Sequence, residues 1–160
     1  MALGSQEFVG GRFTHFGPRS QDQKYGAAQS RVGNDTALVY EFDWNDRPVA
    51  NDELELALSI PANSLILEAT VTALKAAAGT GPLVVSTVTP ENGSPVELIS
   101  ATTANLNAVG KTVVGAGAGV GAVTAGVRQI RATGTLTAGK FKVYIKYRAP
   151  EGDTAGVKSY

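Results

Sequence analysis

FKVYIKY, residues 141 to 147, places Phe141, Val143, Ile145 and Tyr147 on one face of an extended chain and Lys142, Tyr144 and Lys146 on the other. Such alternation marks a strand with one face in a core and one in water, because successive strand side chains leave opposite faces. At about 3.3 Å per residue the stretch covers about 23 Å, the depth of a small β-sandwich. The pattern recurs upstream. Leu38, Tyr40, Phe42 and Trp44 alternate with Val39, Glu41 and Asp43, and Leu54, Leu56, Leu58 and Ile60 alternate with Glu53, Glu55, Ala57 and Ser59.

Breakers punctuate these runs. Asn45-Asp-Arg-Pro48, Pro61-Ala-Asn63, Pro90-Glu-Asn-Gly93 and Leu136-Thr-Ala-Gly139 read as turns. Ser64 to Leu74 sets Leu65, Leu67, Ala69, Val71 and Ala73 inward; its leucines and alanines also permit a helix, but the Thr-Val-Thr centre and the closing Gly79-Thr-Gly-Pro82 favour a strand. Leu83–Val88, Val96–Ile99 and Val127–Ala132 are shorter strand candidates, and residues 101 to 109 fit either a short helix or an irregular loop. Seven or eight strands with no long helix predict an all-β fold, a jelly-roll-like β-sandwich over residues 37 to 149. No repeat of fixed period points to a propeller or solenoid.

Composition narrows the function classes. A length of 160 residues suits one domain, and 14 basic against 14 acidic residues leave no net charge to attract nucleic acid or an anionic membrane. Cysteine is absent, which removes disulfides, thiolate metal sites and thiol nucleophiles. MALGSQEFVGGRF has no basic start followed by an apolar run, and no stretch approaches the roughly 18 to 20 apolar residues that span a bilayer, so a soluble protein made without a secretion signal is expected. Charge is segregated along the chain. Glu41, Asp43, Asp46, Asp52, Glu53 and Glu55 crowd one stretch; Arg128, Arg131, Lys140, Lys142, Lys146 and Arg148 crowd another. These sets could meet head to tail between subunits, pair within one chain, or be solvated.

Residues 1 to 36 have glycines and polar residues at short intervals and no sustained period. Phe8, Phe13, Phe16 and Tyr25 are interleaved there with Arg12, His15, Arg19, Lys24 and Arg31, a mixture suited to burying area and meeting acidic groups on a partner. The segment is read as an extended arm that orders on a partner, or else as a lead-in packed on its own domain. Residues 150 to 160 have the composition of a loose tail.

The glycine-dense VVGAGAGVGAVTAG, residues 113 to 126, follows Gly110-Lys111-Thr112 and invites a nucleotide reading. The phosphate-loop pattern needs a glycine where Asn105 stands and a helix opening at Lys111, whereas the glycines that follow are poor helix formers. A dinucleotide fingerprint at Gly117 to Ala122 needs an acidic residue about twenty positions on, and none occurs before Glu151. A small-residue loop between strands, flexible alone and open to close backbone approach, is expected instead. His15 is the only histidine, so a two-histidine metal or acid–base site is impossible; the acids of DWND and NDELE lack the spacing and bend-forming glycine of a calcium hand. No metal, cofactor or enzymatic activity is expected.

From about Leu54 to Arg148 the chain resembles the small β-sandwich decoration, or cement, proteins of tailed-phage heads. The resemblance rests on LALSIPANSLILEATVTAL (56 to 74), the Gly/Ala-rich loop, and AGKFKVYIKY (138 to 147). It implies a structural virion protein on the outer capsid surface that braces contacts between major capsid protein subunits and assembles as a dimer or trimer. The arm residues Phe8 to Arg31 would carry attachment. A receptor- or carbohydrate-binding module of a tail or fibre is the alternative, marked by exposed aromatics clustered at one edge.

Overall fold

The computed structural model describes residues 5–8, 11–16, 26–32, 35–48, 59–89 and 93–150, the first three ranges as backbone strands. Eight strands follow in chain order: β1 (Ser5–Phe8), β2 (Gly11–Phe16), β3 (Gly26–Val32), β4 (Asp35–Asp43), β5 (Leu65–Val88), β6 (Val96–Ala101), β7 (Thr112–Val114) and β8 (Gln129–Arg148). Every pairing is antiparallel, in one sheet ordered β1-β2-β3-β4-β8-β5-β6 with β7 on β5. The sheet is not closed. Short 3-10 turns at Trp44–Asp46 and Thr103–Leu106 are the helical elements among the described residues. The strand expected over residues 52 to 60 lies almost wholly outside the described residues, as do Pro90 to Asn92 and the tail from residue 151.

The FKVYIKY reading holds in detail. Phe141, Val143, Ile145 and Tyr147 are buried, and so are Leu38, Tyr40, Phe42 and Trp44. Antiparallel register stacks these sets into inward rows: Phe42–Phe141–Ala73, Tyr40–Val143–Val71 and Leu38–Ile145–Ala69. Large side chains thus meet small ones across β8, which lets neighbouring rows fill space at crystal-like density. In β5 the inward phase differs from the expectation. Ile66 is buried while Leu65 and Leu67 are half-buried, because the register shifts between Ile66 and Glu68 and the extra residue flips the phase before Ala69.

Two expected turns do not interrupt their strands. β5 runs through Gly79-Thr-Gly-Pro82, and β8 runs through Leu136-Thr-Ala-Gly139. The ladder between them shifts register repeatedly from Ala73 to Leu83, so the two long strands bend together. Gly134 makes this corner possible: its φ is 146°, and a Cβ there would stand 3.2 Å from the Pro82 carbonyl carbon and 3.4 Å from Trp44 Cη2. Trp44, at the end of β4, packs under the bend, and Arg47 lies 4.5 Å over its ring. Residues from both sides of the bend join one core, Leu83, Val85, Leu98 and Ile99 with Leu38, Phe42 and Phe141. The undecided 101 to 109 segment crosses the bend as a 3-10 turn capped by the Thr102 side chain, with Leu106 fully buried and Thr103 Oγ1 donating to Gly81 O at 3.0 Å.

Opposite charges pair within the chain on the outer side. Arg148 Nε donates to Asp35 Oδ1 at 2.7 Å, and Lys140 Nζ lies 3.0 Å from Glu41 Oε1. The hydrogen bond from Arg148 holds the Asp35 carboxyl below its ordinary range; the bond to Glu41 raises the Lys140 amine. A depressed carboxyl stabilises the fold above its unfolded value and ceases to do so as pH falls through the folded one. A raised amine stabilises below its unfolded value and ceases as pH rises through the folded one. Thermal stability should therefore be flat across the neutral range and decline slightly at both extremes, since these pairs are exposed. Melting curves against pH check this; an Asp35→Asn variant should lose part of the acid-side slope, and an unchanged slope contradicts the assignment.

Candidate partner-binding surface

The aromatic and basic positions of the N-terminal segment fall on two paths. Phe8, Arg12, Phe13, His15, Phe16 and Arg31 lie in β1 to β3; Arg19, Lys24 and Tyr25 lie outside the described residues. Backbone register brings some of them together. Arg12 stands opposite Glu7 on one side and opposite Arg31 on the other, so that one rung runs Glu7–Arg12–Arg31–Thr36. Phe13 is in register with Gln6 and Ser30, His15 with Ala28, Phe16 with Ala27 and Phe8 with Gly11. The register therefore spreads the aromatic positions along the ladder and gathers two arginine positions on one rung.

The glycine-rich segment is anchored on its own chain, contrary to the expectation of a loop flexible by itself. Gly115 N donates to Ala69 O and Gly121 N to Ile66 O, on β5; between them Gly117 N donates to Leu98 O at 3.0 Å and Gly119 N to Glu97 O at 2.9 Å, on β6. The segment thus leaves the β5 edge, stitches onto the outer edge of β6, and returns. Close approach explains the small residues: a Cβ on Gly117 would meet Glu97 O and stand 2.6 Å from the Glu97 carbonyl carbon. The amides that a phosphate would need are already donated to carbonyls, and Lys111 Nζ is bound to Asn107 Oδ1 at 2.8 Å. Along this edge Val109, Val114 and Val123 are exposed.

The outward face of β4, β8 and β5 is the other organised surface. Its middle row is Val39–Tyr144–Thr70–Val114, flanked by rows that hold Glu41 with Lys142 and Ala37 with Lys146. The charge segregation noted in the sequence reappears here as adjacent acidic and basic strands, a juxtaposition that needs the register and so could not be seen from composition. Tyr147, by contrast, is buried, so Tyr144 and Tyr147 do not form one aromatic platform for a sugar. Among the described residues no three His, Cys, Asp or Glu side chains come together to hold a metal ion, and no helix is long and apolar enough to cross a membrane.

No family model, curated protein or solved structure matches this chain. Its function must be argued from these surfaces.

Proposed function

We propose that the chain is a structural virion protein that binds the outside of a phage capsid, self-associates, and stabilises contacts between major capsid protein subunits. In this reading the bent antiparallel sheet is a jelly-roll-like sandwich, and the N-terminal strands present the attachment positions. The observation that carries it is the rung Glu7–Arg12–Arg31–Thr36. By register one arginine position has an acidic residue opposite it and the other does not. An acidic group on a partner would neutralise the other with charge-assisted hydrogen bonds, shaped by the planar guanidinium fork.

The test mixes purified protein with undecorated heads and images them by electron microscopy. Arg12→Glu with Arg31→Glu should keep the wild-type circular dichroism spectrum and lose at least about tenfold in shell affinity, the scale of one charged hydrogen bond. Binding should also weaken as salt rises. Heads left bare by the wild-type protein, or decorated equally by the variant, overturn the proposal.

A further inference from the structure

On its outward side β4 presents Asp35, Ala37, Val39, Glu41 and Asp43, and β8 presents, row for row, Arg148, Lys146, Tyr144, Lys142 and Lys140. One strand carries only acids among its charged outward positions; the other carries only bases. The uncharged Val39 and Tyr144 occupy the central row, both half-buried. This arrangement has an apolar centre, with an aromatic anchor, inside a charged rim.

We propose that this face binds a second copy of the chain about a two-fold axis parallel to the strands, midway between β4 and β8. Rotation about that axis lays β4 on the β8 of the other copy and preserves every row. Asp35 then faces the partner's Arg148, Glu41 faces the partner's Lys142, and Asp43 faces the partner's Lys140. Val39 meets the partner's Tyr144, and the small Ala37 leaves room for the partner's Lys146. A two-fold axis running across the strands gives the opposite result: it sets Asp35 over the partner's Asp43 and Arg148 over the partner's Lys140. Charge order therefore selects one of the two face-to-face arrangements.

Strand order permits the same axis: β4, β3 and β2, with β1 beyond them, lie on one side of the line between β4 and β8, and β8, β5 and β7 lie on the other, so three strands of each half can be covered by three of the partner. Alternate residues from Asp35 to Asp43 span nine residues, about 30 Å at 3.3 Å each, and six strands lie about 4.8 Å apart, with β2, β3 and β7 shorter than the rest. That is roughly 700 Å² per copy as a flat patch, close to the roughly 800 Å² per partner of standard stable complexes. The dimer is accordingly reversible and concentration-dependent. Within one chain Asp35 and Glu41 already have basic partners, whereas Lys142 is exposed and forms no ion pair among the described residues. Lys142 is thus the base to which a second copy adds most.

The dimer is one form of the self-association in the reading above, and it is measured without shells. Sedimentation equilibrium of the full chain over a concentration series should show a reversible monomer–dimer equilibrium that weakens with salt. Lys142→Glu should raise the dimer Kd about tenfold, because it sets acid against acid across the axis, and should lower Tm slightly, because Glu41 is also its register partner within the chain. Adding Glu41→Lys to that variant should restore the wild-type Kd. A monomer at every concentration up to the solubility limit overturns the proposal, as does a dimer indifferent to Lys142→Glu. Failure of the double variant to recover overturns the two-fold arrangement. A dimer that leaves shells bare counts against capsid binding alone; a shell-binding monomer counts against this interface alone.

Discussion

Gly117→Val is expected to lower stability by about 3 kcal/mol, with two causes of similar size. The new side chain cannot occupy its position, because even its Cβ would meet Glu97 O and lie 2.6 Å from the carbonyl carbon of that residue. Overpacking against backbone costs roughly 1 to 3 kcal/mol, since a carbonyl in a ladder cannot swing aside as a side chain can. Displacing the segment also breaks the bonds from Gly117 N to Leu98 O and from Gly119 N to Glu97 O, at about 1 kcal/mol each. For a chain of this size the loss corresponds to a fall in Tm of roughly 10 °C. Hydrogen exchange should show lost protection at Gly117 and Gly119 before the rest of the sheet. Gly121→Ala separates close approach from glycine content: nothing lies within 4 Å of its Cβ position, so its φ of 80° is the main source of cost. Strain of that kind is worth about 1 kcal/mol. If Gly117→Val melts no lower than Gly121→Ala, the stitch onto β6 is not what these glycines provide.

Phe141→Ala is expected to cost roughly 3 to 5 kcal/mol, the range for emptying a fully buried aromatic site. The ring has no exposed surface, lies 6.0 Å from Phe42 between centroids at a tilt of 56°, and faces Ala73 on the β5 side. Alanine on one flank means that no large neighbour can collapse into the space from β5. A cavity would remain, and its lining would lose dispersion contacts outright. Denaturant titration should show a reduced midpoint with an unchanged m-value. Phe141→Leu, which keeps most of the volume, should recover more than half of the loss. A Phe141→Ala variant within about 1 kcal/mol of wild type would show that the Phe42–Phe141–Ala73 row does not close the core.

What was legible beforehand depended on the range of the physics involved. Alternation in residues 38 to 44 and 141 to 147 correctly assigned the inward residues within both runs, because the strand period is local and these runs have no bulge. The same logic misplaced Leu65 and Leu67, since a bulge between Ile66 and Glu68 arises from pairing with β8 about eighty residues away. Gly79 and Gly139 read as turns because glycine marks departures from ordinary φ; whether the chain reverses or merely bends depends on the strand beside it. The surfaces followed the same division. Aromatic and basic residues of the N-terminal segment could be picked out by type, but the rung that joins Arg12 to Arg31 follows from register.

By itself the sequence determined an all-β protein, the inward residues of 38 to 44 and 141 to 147, and glycines placed for close backbone approach. Each of these follows from side-chain size and alternation within a few residues. The tertiary structure alone decided that two long strands bend through their glycines, that the Gly-rich segment ties β5 to β6, and that an acidic strand lies beside a basic one. Those features depend on ladder register between distant segments, where a shift of one residue would send every side chain to the opposite face.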